Sequence, residues 1–248
     1  MMMIAAPWFR KTVYVIVFAF LLPVYAEAKV YLVSVGISDY PGSSIDLALP
    51  AQDARMITWI YSKNTRMQYC LLLDEKARRK NIIDAMNKVF PMAGIDDIVV
   101  FFFSGHGYEG GFRAYDGNIT YGDVCNAMSN TKCRNKMIFA DACYSGRIRT
   151  ELRSSAQAVS NVKKANVMLF LSSRSDEVSI ENPSMINGFF TTYLQKGLRG
   201  GADANKDRII TAKELFVYVH KNVVDISKGM QHPVMWGRFS DNMPVMKW

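Results

Sequence analysis

Six consecutive apolar residues, Ile98-Val-Val-Phe-Phe-Phe103, break off at Ser104-Gly105-His106-Gly107. A strand with no polar position at alternate residues has no face to offer water, so both of its faces must be covered. Related strand-like stretches recur along the chain: KVYLVSVGI at 29–37, MQYCLLL at 67–73, KMIFA at 136–140, NVMLFLSS at 166–173 and PVMWG at 233–237. Helical patterns separate them. AQDARMITWIYSK sets Ala54, Ile57, Ile60 and Tyr61 on one face, and EKARRKNIIDAMNKV does the same with Ile82, Ile83, Met86 and Val89. NGFFTTYLQKGL (187–198) and KELFVYVHKNV (213–223) read as further helices. The pattern predicts an α/β fold, a mostly parallel sheet of about six strands with helices on both faces.

In such sheets function gathers where the strands end at their carboxyl edge. The third strand ends in Ser104-Gly-His106-Gly107, and the fourth ends in Asp141-Ala-Cys143-Tyr-Ser-Gly146. If these strands are neighbours, His106 and Cys143 leave the same edge side by side. A thiol that shares its proton with an imidazole becomes a strong nucleophile. Gly107 would let the backbone turn sharply there, and its N–H together with that of Cys143 would hold an oxyanion. Either residue alone reads as structural: a Cys after an apolar strand as a small core side chain, and a His as a hydrogen-bonded one. Their joint placement at two strand ends points to catalysis.

Composition narrows the remaining classes. Half of the 248 residues are apolar and 21% are charged, an ordinary globular balance. The formal net charge is +8, yet Lys and Arg are scattered, with pairs such as Arg78-Arg79 and Lys163-Lys164 and no basic run interleaved with aromatics. No nucleic-acid partner is expected from that distribution. Four cysteines are few for a disulfide framework, and Cys125 and Cys133 are near enough in sequence to pair. No CxxC or HExxH metal pattern occurs.

At the N-terminus Arg10-Lys11 precede a short apolar run that closes on Ala26-Glu27-Ala28. This reads as a cleaved secretory signal over residues 1–28, with export to periplasm or medium and no stable membrane anchor afterwards. The run falls short of the ~20 residues that a span needs.

SGHG and DACYSG resemble the His and Cys motifs of caspase-like cysteine peptidases, nearest to metacaspases and bacterial caspase homologues. VGISDYPGSSIDLALPAQDA is similar to the family's first strand, loop and helix, and the stretch from Ser172 to Val219 to its C-terminal part. The resemblance implies one peptidase domain over 29–248: a large-subunit-like part at 29–146, a polar linker at about 147–165 and a small-subunit-like part at 166–248. It implies an endopeptidase that acts on peptides or proteins and needs no cofactor. Asp141 stands where caspases carry Gln, and the His–Cys separation is shorter than their roughly 50 residues. By the same resemblance Asp53, Ser104 and Asp141 line the pocket for the side chain preceding the cut. Two carboxylates there repel a substrate Asp and favour Arg or Lys.

The bland readings are a helix-surface or first-turn carboxylate for Asp53 and a structural hydrogen-bond acceptor for Asp141. Arg147, Arg149, Arg153, Lys163 and Lys164 lie in a segment that is either a solvated loop or a site of self-cleavage. The alternatives to a peptidase are a silent caspase-like scaffold that binds partners and a Cys-dependent amidase or esterase of small substrates.

Asp203, Asn205, Asp207 and Glu214 nearly fit a calcium loop, with Arg208 at the position that wants glycine. The reading preferred here is a polar turn followed by a capping box from Thr211 to Glu214. Ser172-Ser173 are candidates for the cleft wall by position, and His220 and His232 read as structural. The oligomeric state has no signature in the sequence.

Overall fold

The computed structural model describes residues 28–64, 66–108, 111–142, 166–172 and 188–247; Cys143, the polar segment that follows it, Ser173 and the N-terminal apolar run lie outside them. In chain order the elements are β1 (Val30–Gly36), α1 (Pro50–Asn64), β2 (Met67–Leu73), α2 (Arg79–Val89), β3 (Ile98–Ser104), β4 (Gly107–Tyr108), β5 (Gly111–Ala114), β6 (Gly117–Thr120), α3 (Tyr121–Ser129), β7 (Asn135–Asp141), β8 (Val167–Leu171), α4 (Phe189–Lys196), β9 (Ile209–Thr211), α5 (Ala212–Ile226), β10 (Val234–Gly237) and β11 (Pro244–Lys247).

Six strands make the central sheet in the order β10-β8-β7-β3-β1-β2. They are the six expected from the apolar runs. β8, β7, β3, β1 and β2 pair in parallel, and β10 closes the edge antiparallel to β8. All seven residues of β3 are buried, because the strand sits in the middle of the sheet with cover on both sides. Its odd residues Val99, Phe101 and Phe103 pack with α2 and α3, while Ile98, Val100 and Phe102 pack with α1, α4 and α5. Each such side chain contributes about 1.5–3 kcal/mol by leaving water. This explains why the run carries no polar residue until its last position.

Two smaller sheets complete the fold. The β4-β5-β6 meander is fastened over the α2/α3 face, with Phe112 stacked on Phe103 at 4.5 Å and Tyr121 edge-on to Phe112 at 5.3 Å. β9 and β11 form an antiparallel pair beside α5. Neither small sheet, nor α3, was expected from the sequence. The α3 signal was present: Tyr121, Val124, Cys125 and Met128 follow helical spacing and are buried, and Thr120 and Asp123 form a capping box.

Cys125 and Cys133 do not pair; both are free thiols. Cys125 faces the core from α3, whereas the Cys133 sulfur lies 3.0 Å from the Asp97 carbonyl, to which it donates. Among the described residues no helix is long and apolar enough to cross a membrane.

Candidate active site

The site is built on the parallel pairing of β3 and β7, which sets Ser104 opposite Asp141. The Gly105 N–H extends the ladder by donating to the Asp141 carbonyl at 3.2 Å. His106 therefore follows two residues after a paired position, and Cys143 follows two residues after its partner. Ala142, the residue before Cys143, donates its N–H to the Ser172 hydroxyl at 3.3 Å. Cys143 itself is outside the described residues.

His106 is anchored by two residues, Tyr40 and Ile45. Its backbone N–H donates to the Tyr40 hydroxyl at 2.9 Å, and that hydroxyl donates onward to the Arg113 carbonyl at 3.2 Å. The Tyr40 ring lies 4.8 Å from the imidazole. Burial pushes the Tyr40 phenol well above its ordinary pKa, so it stays a neutral donor. The Nε2 atom sits 2.6 Å from the Ile45 carbonyl oxygen. A carbonyl only accepts, so Nε2 carries a proton and Nδ1 is the nitrogen that takes one up in the neutral ring.

The glycine that turns the chain is Gly105 rather than Gly107. Gly105 has φ +152°, and a Cβ there would stand 2.7 Å from the Tyr40 hydroxyl. Gly107 is extended within β4. Because the Arg113 N–H donates to the His106 carbonyl, Gly107 and Phe112 form a non-hydrogen-bonded pair. This leaves the Gly107 N–H outside the β4–β5 ladder.

The three residues assigned to the specificity pocket come together on the α1/α4 side of the sheet. Asp53, in the first turn of α1, is 2% exposed and accepts from the Ser104 hydroxyl at 2.9 Å. Asp141 accepts on Oδ2 from the Thr191 hydroxyl at 2.8 Å and the Thr191 N–H at 3.3 Å. Both carboxylates are buried, so neither is a surface charge. Asp141 also satisfies one of the open amides of the first turn of α4, the structural acceptor role that was the bland reading of this residue. Thr191 was missed in the sequence, where it reads as one more residue of an amphipathic helix.

Gly36 helps to seat Asp53. A Cβ at Gly36 would lie 2.2 Å from the Pro50 carbonyl oxygen and 2.8 Å from the Ala54 side chain, so glycine allows α1 to approach the end of β1 closely. The Ser34 hydroxyl then donates to the Ala54 carbonyl at 3.0 Å.

Ser172 does not line a cleft as expected. It is wholly buried, and its hydroxyl is occupied with the Ala142 backbone. His220 lies against Phe216 at 5.3 Å and 6.5 Å from His232, in the α5 region. On the α2/α3 side a cleft of about 780 Å³ opens beside His106, bordered by Pro41, Ile45, Gly107, Tyr108, Arg113 and the β5–β6 turn.

The Asp203–Glu214 loop is held by its own hydrogen bonds. Asp203 Oδ2 accepts from the Arg208 N–H, Asn205 Oδ1 from the Asp207 N–H and Asp207 Oδ1 from the Ile209 N–H. Arg208 adopts the left-handed conformation that its side chain was expected to disfavour, at φ +67°. Thr211 and Glu214 form the capping box of α5. Among the described residues no group of three or more His, Cys, Asp or Glu side chains converges as a metal site would.

A family model described as the caspase domain matches residues 30–243. The chain belongs to the caspase-domain peptidases. Membership covers nearly all of the chain after the N-terminal apolar run, and the family is one of cysteine peptidases acting on proteins. Among solved structures, a protein from Geobacter sulfurreducens is similar at TM-score 0.64 and 17% identity, over 88% of this chain and 97% of its own. Caspase-1 from Spodoptera frugiperda is similar at TM-score 0.61 and 15% identity, over 86% of this chain and 88% of its own. At those identities the likeness speaks for a caspase-like α/β fold. A comparison with curated protein sequences finds no match.

Proposed function

We propose that this caspase-domain protein is an exported cysteine endopeptidase that cuts after Arg or Lys through Cys143 and His106. The Cys143 sulfur attacks the scissile carbonyl while its proton passes to Nδ1 of His106. The resulting oxyanion takes hydrogen bonds from the N–H groups of Gly107 and Cys143. His106 then hands its proton to the leaving amine, and a thioester remains. Water adds to the thioester, giving its proton to Nδ1, and the acid leaves as the thiol is restored.

The observation that carries this reading is the β3–β7 register, Ser104 opposite Asp141, which launches the His106 and Cys143 segments from adjacent points of one edge. The hydrogen bond of Nε2 to Ile45 supports it by directing the ring's basic nitrogen away from that carbonyl. The preference for Arg or Lys is supported by the buried carboxylates of Asp53 and Asp141, with Ser104 bonded between the elements that carry them. A cationic side chain offsets the mutual repulsion of two such groups.

Fluorogenic peptides that differ only in the residue before the cut test the assignment, with Cys143→Ala as control. Cleavage after Arg or Lys that vanishes in the control is the expected result, and preference for Asp overturns the pocket assignment. Export rests on the Arg10–Ala28 pattern, so a secreted product whose N-terminus begins near Lys29 is expected.

A further inference from the structure

We propose that the cleft beside His106 receives the residues after the scissile bond, and that Arg113 there selects substrates with an acidic side chain in that segment. This rests on the peptidase reading above. A proton delivered by His106 goes to the leaving amine, so the departing chain must start at the imidazole. The strand alternation then decides which way it runs. Ser104 points to the α1 side, where it meets Asp53, while Phe103, one residue earlier, points to the opposite side and carries Phe112 of the meander. A substrate crossing the carboxyl edge with its basic side chain on the carboxylate face would leave its following residues over the meander. The cleft lies there, and its volume of about 780 Å³ suits a short peptide segment.

The charge in this cleft is uneven. The Arg113 guanidinium lies 5.8 Å from the Tyr40 ring centroid, and the imidazole of His106 lies 4.8 Å from the same ring, so cation and imidazole share one aromatic neighbour. Arg113 is exposed, and among the described residues no carboxylate pairs with it. Among the described residues that line the cleft the acidic one, Asp116, is already engaged: Arg78 approaches it at 3.6 Å, and the Arg79 N–H donates to it at 2.8 Å. The cleft walls are fixed as well. The Tyr115 N–H donates to the Ala77 carbonyl and Arg79 Nε donates to the Asn118 carbonyl, tying the β5–β6 turn to the start of α2. A rigid groove whose described lining carries one cation without a carboxylate partner favours Glu or Asp and disfavours Lys.

Quenched fluorescent peptides with Arg before the cut and Glu, Gln or Lys at the next two positions provide the test. The wild-type protein should cleave the Glu peptide with a kcat/KM about fivefold above the Lys peptide, the scale of an exposed ion pair. Raising salt from about 0.05 to about 0.5 M should erode that ratio. Arg113→Gln should bring the ratio close to one, and Arg113→Lys should keep it above one. Equal cleavage of the Glu and Lys peptides by the wild type, or an unchanged ratio in Arg113→Gln, overturns the proposal while leaving cleavage after Arg intact. Failure to cut any peptide of the series removes the peptidase reading and this one together.

Discussion

At the scale of single residues, the imidazole of His106 depends on a hydroxyl that no motif advertises. Tyr40 bridges the His106 N–H and the Arg113 carbonyl, so Tyr40→Phe removes both bonds while keeping the ring. We expect a loss of about 1–2 kcal/mol in chemical denaturation. Activity should fall more than that suggests, by about tenfold or more in kcat, because a base displaced by a fraction of an ångström transfers protons poorly. An unchanged kcat would show that His106 needs no such support. Thr191→Val tests the pocket in the same way. It withdraws the hydroxyl bonded to Asp141 and leaves an acceptor short of a partner, which should cost about 1–3 kcal/mol. If Asp141 reads the substrate, KM for Arg peptides should rise while kcat changes little.

The elements bring these residues together through close approaches rather than long contacts. Helix α1 can deliver Asp53 to Ser104 because Gly36 offers no side chain where the Pro50 carbonyl and Ala54 lie. Gly36→Ala forces the helix away from β1, and we expect a destabilisation of about 1–3 kcal/mol together with a higher KM for basic peptides. A variant with wild-type melting temperature and KM would show that α1 has slack the close approach does not suggest. The meander is placed differently, by stacking Phe112 on Phe103, so the strand that carries His106 also carries the wall of the neighbouring cleft.

For the molecule as a whole, buried thiols make alkaline stability a property of the core. Burial pushes Cys125 up to about 12, and burial, partly opposed by the Asn135 hydrogen bond and Lys136, pushes Cys133 up to about 11. The folded state thus keeps protons that the unfolded chain begins to release near pH 9. Their contribution is fully present below about pH 9 and is lost as pH rises through 11 and 12. Melting temperature should fall across that window, and Cys125→Ala should flatten the part of the decline that belongs to this thiol. A decline of unchanged slope in that variant would assign alkaline unfolding to other groups.

The apolar runs determined by themselves that six strands would form and be covered on both faces, since a segment without polar positions has no stable alternative to complete burial. The same residues marked the two strand ends that carry SGHG and DACYSG. The short meander and α3 were harder to read, because two- to four-residue strands bury too little to leave a period, and the α3 pattern competes with a stretch rich in turn formers. Cys125 and Cys133, close along the chain, stay unpaired: Cys125 is buried on α3, and the Cys133 sulfur is taken up by the Asp97 carbonyl. Only the tertiary structure decided that Gly105 rather than Gly107 makes the turn, that Thr191 holds Asp141 and that Tyr40 sits between His106 and Arg113. Those relations join residues far apart in sequence, and distance along a chain carries no information about which side chains share a hydrogen bond across a sheet.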